Sequence, residues 1–199
     1  MSVDNSSVGL KVAIRKRLRK EMSHADSVLD CFSGTGTMAA KAWSGLAVTR
    51  IDRKRLRGID YVGDNMTLAP KLAKSGKFQI IDLDAYGNPW PLMQRICASL
   101  PSGRYGFAIT CGIQRSLITH NKWAWKLLGI PQMAHVNLLP FYEAIVTEVV
   151  MACGIDVDRV FFADPKKVGL TVRYWGVTGV KKTPGCDMHA APGLANQVE

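Results

Sequence analysis

Two stretches of this 199-residue chain gather residue types that can do chemistry. In Val28-Leu29-Asp30-Cys31-Phe32-Ser33-Gly34-Thr35-Gly36-Thr37-Met38, an apolar run ends in a glycine turn and a helical pattern begins. Gly34 and Gly36 allow a sharp turn and a close approach of backbone to ligand, where a Cβ would collide. Asp52, 22 residues after Asp30, closes the next apolar run and is placed to accept hydrogen bonds from ribose hydroxyls. This combination predicts a nucleotide-like ligand. Position 39 is Ala, which a dinucleotide fingerprint tolerates in place of its third glycine, so spacing alone leaves NAD open. Asp30 and Phe32 argue the other way, because an acid just ahead of the glycines repels a pyrophosphate and welcomes a cationic, amine-bearing ligand. The second stretch is Phe78-Gln79-Ile80-Ile81-Asp82-Leu83-Asp84-Ala85-Tyr86-Gly87-Asn88-Pro89-Trp90. It is an apolar run ending in two carboxylates, an aromatic and a Gly-Asn-Pro turn, at the sheet edge where open α/β folds take ligands. The bland alternative makes Asp82 and Asp84 turn acids capping a helix over Pro91–Leu100.

The surrounding pattern alternates strands and helices. Leu10, Ile14, Leu18 and Met22 recur at four-residue spacing among Lys11, Arg15, Lys16, Arg17, Arg19 and Lys20, which predicts an amphipathic basic helix. That helix either packs its apolar side on the core as a solvated surface element or touches nucleic acid. Strands are expected over Ser27–Phe32, Ala47–Ile51, Tyr61–Val62, Phe78–Leu83 and Tyr105–Thr110, and helices over Met38–Ser44, Pro91–Leu100 and Asn137–Cys153. Arg159–Ala163 and Leu170–Trp175 read as a hairpin. The fold class is therefore α/β: a doubly wound, mostly parallel sheet with a C-terminal antiparallel hairpin. One domain is expected over residues 8–178, with a disordered N-terminus at 1–7 and a flexible tail at 179–199.

Composition narrows the function classes. Hydrophobic residues at 47% and charged residues at 21% suit a soluble globular chain with a full core, and exclude a disordered or fibrous one. No apolar stretch approaches the roughly 20 residues that cross a bilayer, so no membrane partner is expected. Twenty-six Lys and Arg against 16 Asp and Glu give a net charge of +10, which suits a polyanionic partner such as DNA or RNA. The five cysteines form no CxxC pair and, with four histidines, offer no metal-ligand spacing; they read as reduced thiols of a cytoplasmic protein. Arg115, His120, Lys122, Trp123, Trp125 and Lys126 interleave cations with aromatics, as an unpaired nucleic acid would need, or else pack an ordinary subdomain. Arg53, Lys54, Arg55 and Arg57 read as a solvated turn.

Val28-Leu29-Asp30-Cys31-Phe32-Ser33-Gly34-Thr35-Gly36 resembles motif I of class I S-adenosylmethionine (SAM) methyltransferases. The resemblance implies a Rossmann-like fold, SAM as cofactor, Asp30, Phe32, Gly34, Thr35 and Gly36 around its methionine part, and Asp52 on its ribose. Gly63-Asp64-Asn65 resembles the family's next acidic turn, which implies that Asp64 meets the adenine amino group. The short gap from Asp52 to Asp64 implies that the intervening helix is truncated or missing. Ile81-Asp82-Leu83-Asp84-Ala85-Tyr86-Gly87-Asn88-Pro89 is similar to the Asp-x-Asp-Pro-Phe-Gly-x-Pro motif of the tRNA guanosine N2-dimethyltransferase family, with Ala85 in place of a proline. It implies transfer to an amino nitrogen, with Asp84 as acceptor of the amine N–H bonds, Tyr86 as stacking face and Asp82 second in rank. The physical need is clear: an exocyclic amine on a base is a poor nucleophile until an acceptor aims its lone pair. No Pro-Cys pair stands near the fourth strand, which sets aside a cysteine nucleophile. The reading is a SAM-dependent methyltransferase acting on an amino nitrogen, of a nucleobase in DNA or RNA. Its rivals are a non-catalytic SAM- or nucleic-acid-binding module, a methyltransferase of proteins or small molecules, and a nucleotide-binding oxidoreductase.

Overall fold

The computed structural model describes residues 8–85, 88–111, 142–163 and 173–183. In chain order these form α1 (Val8–Glu21), β1 (Ser27–Asp30), α2 (Thr37–Lys41), β2 (Ala47–Asp52), β3 (Tyr61–Val62), α3 (Asn65–Ala73), β4 (Ile80–Leu83), α4 (Trp90–Ser99), β5 (Gly103–Cys111), α5 (Tyr142–Ala152), β6 (Ile155–Ala163) and β7 (Arg173–Lys181). One seven-stranded sheet runs in the order β3-β2-β1-β4-β5-β7-β6. β1 to β5 pair in parallel, and β7 lies antiparallel between β5 and β6. The doubly wound sheet with a closing hairpin is thus as expected. The tip of that hairpin lies outside the described residues. β7 continues to Lys181, so residues 179–181 belong to the sheet rather than to a tail, and Gly179 and Val180 complete the ladder with β5.

Helices cover both faces. α1 and α2 pack on one through Ile14, Leu18 and Met38, with Met22 and Trp43 just past their ends, against Val28, Ile80 and Ala108. α3, α4 and α5 pack on the other through Ala69, Met93, Ile96, Val146 and Val149, against Leu29, Ile81, Leu83 and Phe107. The central strands β1 and β4 are buried along their whole length, so Val28 and Leu29, and Ile80 and Ile81, face the helices on opposite sides of the sheet. Side chains alternate between faces along a strand, so Asp30 follows Val28 and Asp82 follows Ile80 onto the α1/α2 side. Gly106 on β5 lets α1 sit close, since a Cβ there would lie 2.9 Å from Met22 Cγ and 3.1 Å from Leu18 Cδ1.

α3 is the one described element that the pattern does not announce, because Pro70 interrupts it. Proline has no N–H to give the carbonyl of Met66. Arg95 Nη1 on α4 donates to that carbonyl instead, at 3.0 Å. Between β2 and β3 the chain makes turns and no helix, as the short spacing implied.

Candidate active site

Of the candidate site residues singled out from the sequence, those described lie at or just past the carboxyl ends of β1, β2, β3 and β4. Leaving β1, the chain enters the glycine turn with Gly34 at φ 51° and Gly36 at φ 83°, backbone that L side chains adopt at a cost. Asp52 ends β2 and fastens this turn: its Oδ2 accepts from Gly34 N at 2.9 Å and its Oδ1 from Lys54 N at 2.9 Å. Arg50, two residues earlier, donates from Nε to Ser33 Oγ at 2.6 Å and from Nη1 to the Arg57 carbonyl at 3.3 Å. Its guanidinium fills the space that a Cβ on Gly36 would need. At Gly34, by contrast, an added Cβ meets no atom within 4 Å, so the open cradle lies at the first glycine rather than the second. Gly36→Ala is expected to cost about 1–2 kcal/mol of stability, from left-handed backbone and displacement of Arg50, as read from denaturant midpoints. Phe32 is half-buried, and its N–H donates to Asp30 Oδ1 at 3.3 Å. Thr35 is exposed beside Thr37, with the hydroxyls 3.1 Å apart. Asp64 caps α3, accepting from Met66 N at 3.4 Å and Thr67 Oγ1 at 3.2 Å, and pairs with Arg53 at 3.2 Å.

A second cluster sits against the first. Asp30 and Asp82 are in register across β1 and β4, both buried and both facing α1. Arg15, fully buried on α1, reaches them: its Nε and Nη2 donate to Asp82 Oδ2 and Oδ1, each at 2.6 Å. Trp43 Nε1 adds a third bond to Asp82 Oδ2 at 2.8 Å. Asp84, one residue past β4, turns to the same side. Lys11 Nζ stands 2.8 Å from its Oδ1 and 2.9 Å from its Oδ2, and Arg15 Nη2 stands 3.8 Å from its Oδ2. Tyr86 and Gly87 lie outside the described residues, as do the Trp123–Trp125 region and Pro184-Gly185-Cys186.

Charge in this cluster is unevenly matched. Three carboxylates (Asp30, Asp82 and Asp84) face the two cations Arg15 and Lys11. Burial opposes the charge on Asp84, but Arg15 and then Lys11 outweigh it and hold the carboxyl below the usual range. At Asp30 the balance runs the other way: burial, with Asp82 adding to it, outweighs the Ser33 hydrogen bond and Arg15 and pushes its carboxyl up to about 7. Its Oδ2 is buried without a hydrogen bond. With Asp30 ionised, the three carboxylates would exceed the two cations by one charge.

Sequence reasoning missed the part that α1 plays here. Lys11, Arg15, Leu18 and Met22 share one helix face, so two cations lie within the apolar seam. A buried cation demands a buried acid, and that demand is the signal that could have tied α1 to β4.

A sheet in the order β3-β2-β1-β4-β5-β7-β6, with β7 reversed and a glycine turn leaving β1, is a Rossmann-like fold of the kind that solved SAM-dependent methyltransferases share. No family model and no curated protein matches the chain. Among solved structures it is similar to Trm1 from Pyrococcus horikoshii in complex with S-adenosyl-L-methionine, at TM-score 0.62 and 16% identity. That match covers 90% of this chain but only 56% of Trm1, so the chain spans little more than half of that protein. It is also similar to a Streptococcus thermophilus protein described as a candidate hemolysin (TM-score 0.57, 12% identity, 92% of this chain and 70% of that one). A third likeness is to 1,6-didemethyltoxoflavin-N1-methyltransferase from Burkholderia thailandensis with bound S-adenosylhomocysteine (TM-score 0.52, 16% identity, 89% and 80%). At these identities the shared property is the fold. Among the described residues no helix is long and apolar enough to cross a membrane.

Proposed function

We propose that the chain is a SAM-dependent methyltransferase acting on an amino nitrogen, of a nucleobase in DNA or RNA. The observation that carries this reading is Asp84: an ionised carboxylate just past β4, the strand paired with the β1 that leads into the glycine turn, with 14% of its side chain exposed. The residues present fit the cofactor. Asp30 Oδ2 is an orphaned acceptor for a cation, Gly34 leaves a cradle that a Cβ would fill, Asp52 ends β2 where ribose would be held, and Asp64, capping α3 just past β3, is where adenine would be held. Two of the similar structures, Trm1 and the toxoflavin N1-methyltransferase, are complexes with SAM and S-adenosylhomocysteine. When bound, SAM supplies an electrophilic methyl group on a sulfonium.

The chain's own residues do the rest. Asp84 accepts N–H bonds from the target amine and so aims its lone pair; held low by Arg15 and Lys11, it stays a carboxylate and acts as acceptor rather than proton carrier. Asp82, fully buried and bonded by Arg15 and Trp43, positions the end of β4 and is a positioning residue. Tyr86 supplies the stacking face. The net charge of +10 supports a nucleic-acid substrate through phosphate contacts. Incubation with tritiated SAM and separate pools of DNA, tRNA, rRNA and protein tests the reading: label is expected in one nucleic-acid pool, and label in protein alone would overturn the substrate class.

Asp30 makes cofactor affinity depend on pH. Its carboxyl is raised to about 7 in the free protein, whereas a cation beside it favours the ionised form. Binding therefore releases a proton below that value. SAM affinity is expected to be flat above pH 7 and to fall by about tenfold per unit below it, as read by calorimetry. Asp30→Asn should flatten the profile; a flat wild-type profile from pH 5.5 to 8 would place the cation elsewhere.

A further inference from the structure

Asp84 meets two cations before any substrate arrives. Lys11 Nζ lies within 2.9 Å of both carboxylate oxygens and Arg15 Nη2 within 3.8 Å of one. Arg15 has no exposed side-chain surface and Lys11 has 19%, so water screens neither strongly. Two cations thus lie within ion-pair distance of this carboxylate, whereas no cation stands so close to Asp30 among the described residues. A protonated alkylamine brought to Asp84 would place a third positive charge beside two. Its gain from a carboxylate already neutralised is small, and its repulsion from Lys11 and Arg15 is not. A neutral amine conjugated to an aromatic ring brings N–H donors without charge, and a carboxylate has about four lone-pair sites to share among donors.

We infer that Lys11 is a specificity-determining residue of the amine site. Its ammonium confines Asp84 to neutral, ring-conjugated amines and turns away alkylammonium groups such as lysine side chains and polyamines. The inference rests on the reading of Asp84 as the amine acceptor. It gives the basic helix α1 a part in substrate choice beyond any contact with phosphate, because the residue four positions before Arg15 is the one that reaches Asp84. Lys11 acts through Asp84, so a purely structural role would alter the binding of every amine together. A charge filter alters the ratio between charged and neutral amines.

The test uses the full chain saturated with S-adenosylhomocysteine and two probe classes. Guanosine, adenosine and cytidine are the neutral amines, and Nα-acetyl-lysine amide is the charged one, with affinities read by NMR titration. Wild type is expected to favour at least one nucleoside over the lysine probe. Lys11→Met should shift that ratio toward the lysine probe by at least tenfold, and Lys11→Arg, which keeps the charge, should restore it. Asp84→Asn locates the binding. If probe binding depends on Asp84 and the ratio is the same in wild type and Lys11→Met, the inference about Lys11 is overturned and the acceptor reading stands. If no probe depends on Asp84, the acceptor reading fails and the role of Lys11 fails with it.

Discussion

Asp84→Ala is expected to lower methyl transfer at least about a hundredfold while leaving SAM affinity nearly unchanged. The reason lies in when the carboxylate works. An exocyclic amine delocalises its lone pair into the ring, so the acceptor that redirects it matters at the moment of attack and little before. A hundredfold loss corresponds to about 2.7 kcal/mol of barrier, at about 1.4 kcal/mol per decade. Asp84→Asn should be milder, because the amide oxygen still accepts one N–H bond. The alanine variant also strips Lys11 of its partner, so its thermal midpoint must be read beside its rate. Lys11 keeps 19% of its side chain exposed and can turn toward water, which limits that cost. Tyr86→Ala should slow the reaction as well, with Tyr86→Phe tolerated if the ring acts by stacking. A wild type that transfers methyl groups and an Asp84→Ala variant that keeps its full rate would remove Asp84 from the chemistry.

Much of the scaffold is legible in the residues because the central strands are buried on both faces, and each carries an apolar pair, Val28-Leu29 in β1 and Ile80-Ile81 in β4, that feeds both faces before the acid at or near its end. β3 lies where it is expected, while β1, β2 and the first strand of the closing hairpin overlap their expected positions with ends shifted by one to four residues where pairing, rather than hydropathy, decides the boundary. α3 is hidden because its Pro70 breaks the local signal, and only a long-range bond from Arg95 repairs the helix. The glycine turn and Asp52 are legible because their requirements are local: positive φ at Gly34 and Gly36, and an acid one strand away that accepts from Gly34 N. Arg50 is not, since a guanidinium on β2 gives no hint that it fills the space over Gly36. The α1 cluster is the deepest miss. Lys11 and Arg15 are 73 and 67 residues from Asp84 and Asp82, and nothing in the helix's own sequence says which acids its cations will find. The reading of α1 as either a solvated helix or a nucleic-acid contact overlooked a third possibility, that its charged residues face inward.

That inward face leads to the second large effect. Arg15→Met is expected to destabilise the fold by about 3–5 kcal/mol, the usual loss when one member of a buried ion pair is removed and the other is left without a counter-charge. Asp82 has no exposed surface through which water could take over. It would keep the indole N–H of Trp43 and lose both guanidinium bonds. Asp30 lies in register beside it, so two acids on adjacent strands would then face each other with no buried cation between them and α1. Methionine fills much of the same volume, which separates the charge effect from a cavity. The companion variant isolates the cause: adding Asp82→Asn to Arg15→Met removes the stranded charge, retains an acceptor for Trp43, and should recover at least half of the loss. Denaturant unfolding at pH 7 reads all three proteins. Recovery would show that Arg15 is held for its charge and that α1 is fastened to β4 chiefly by this pair. If Arg15→Met costs less than about 1 kcal/mol, a typical surface ion pair, the pair does not fasten the helix, and packing through Ile14, Leu18 and Met22 alone keeps Lys11 over Asp84.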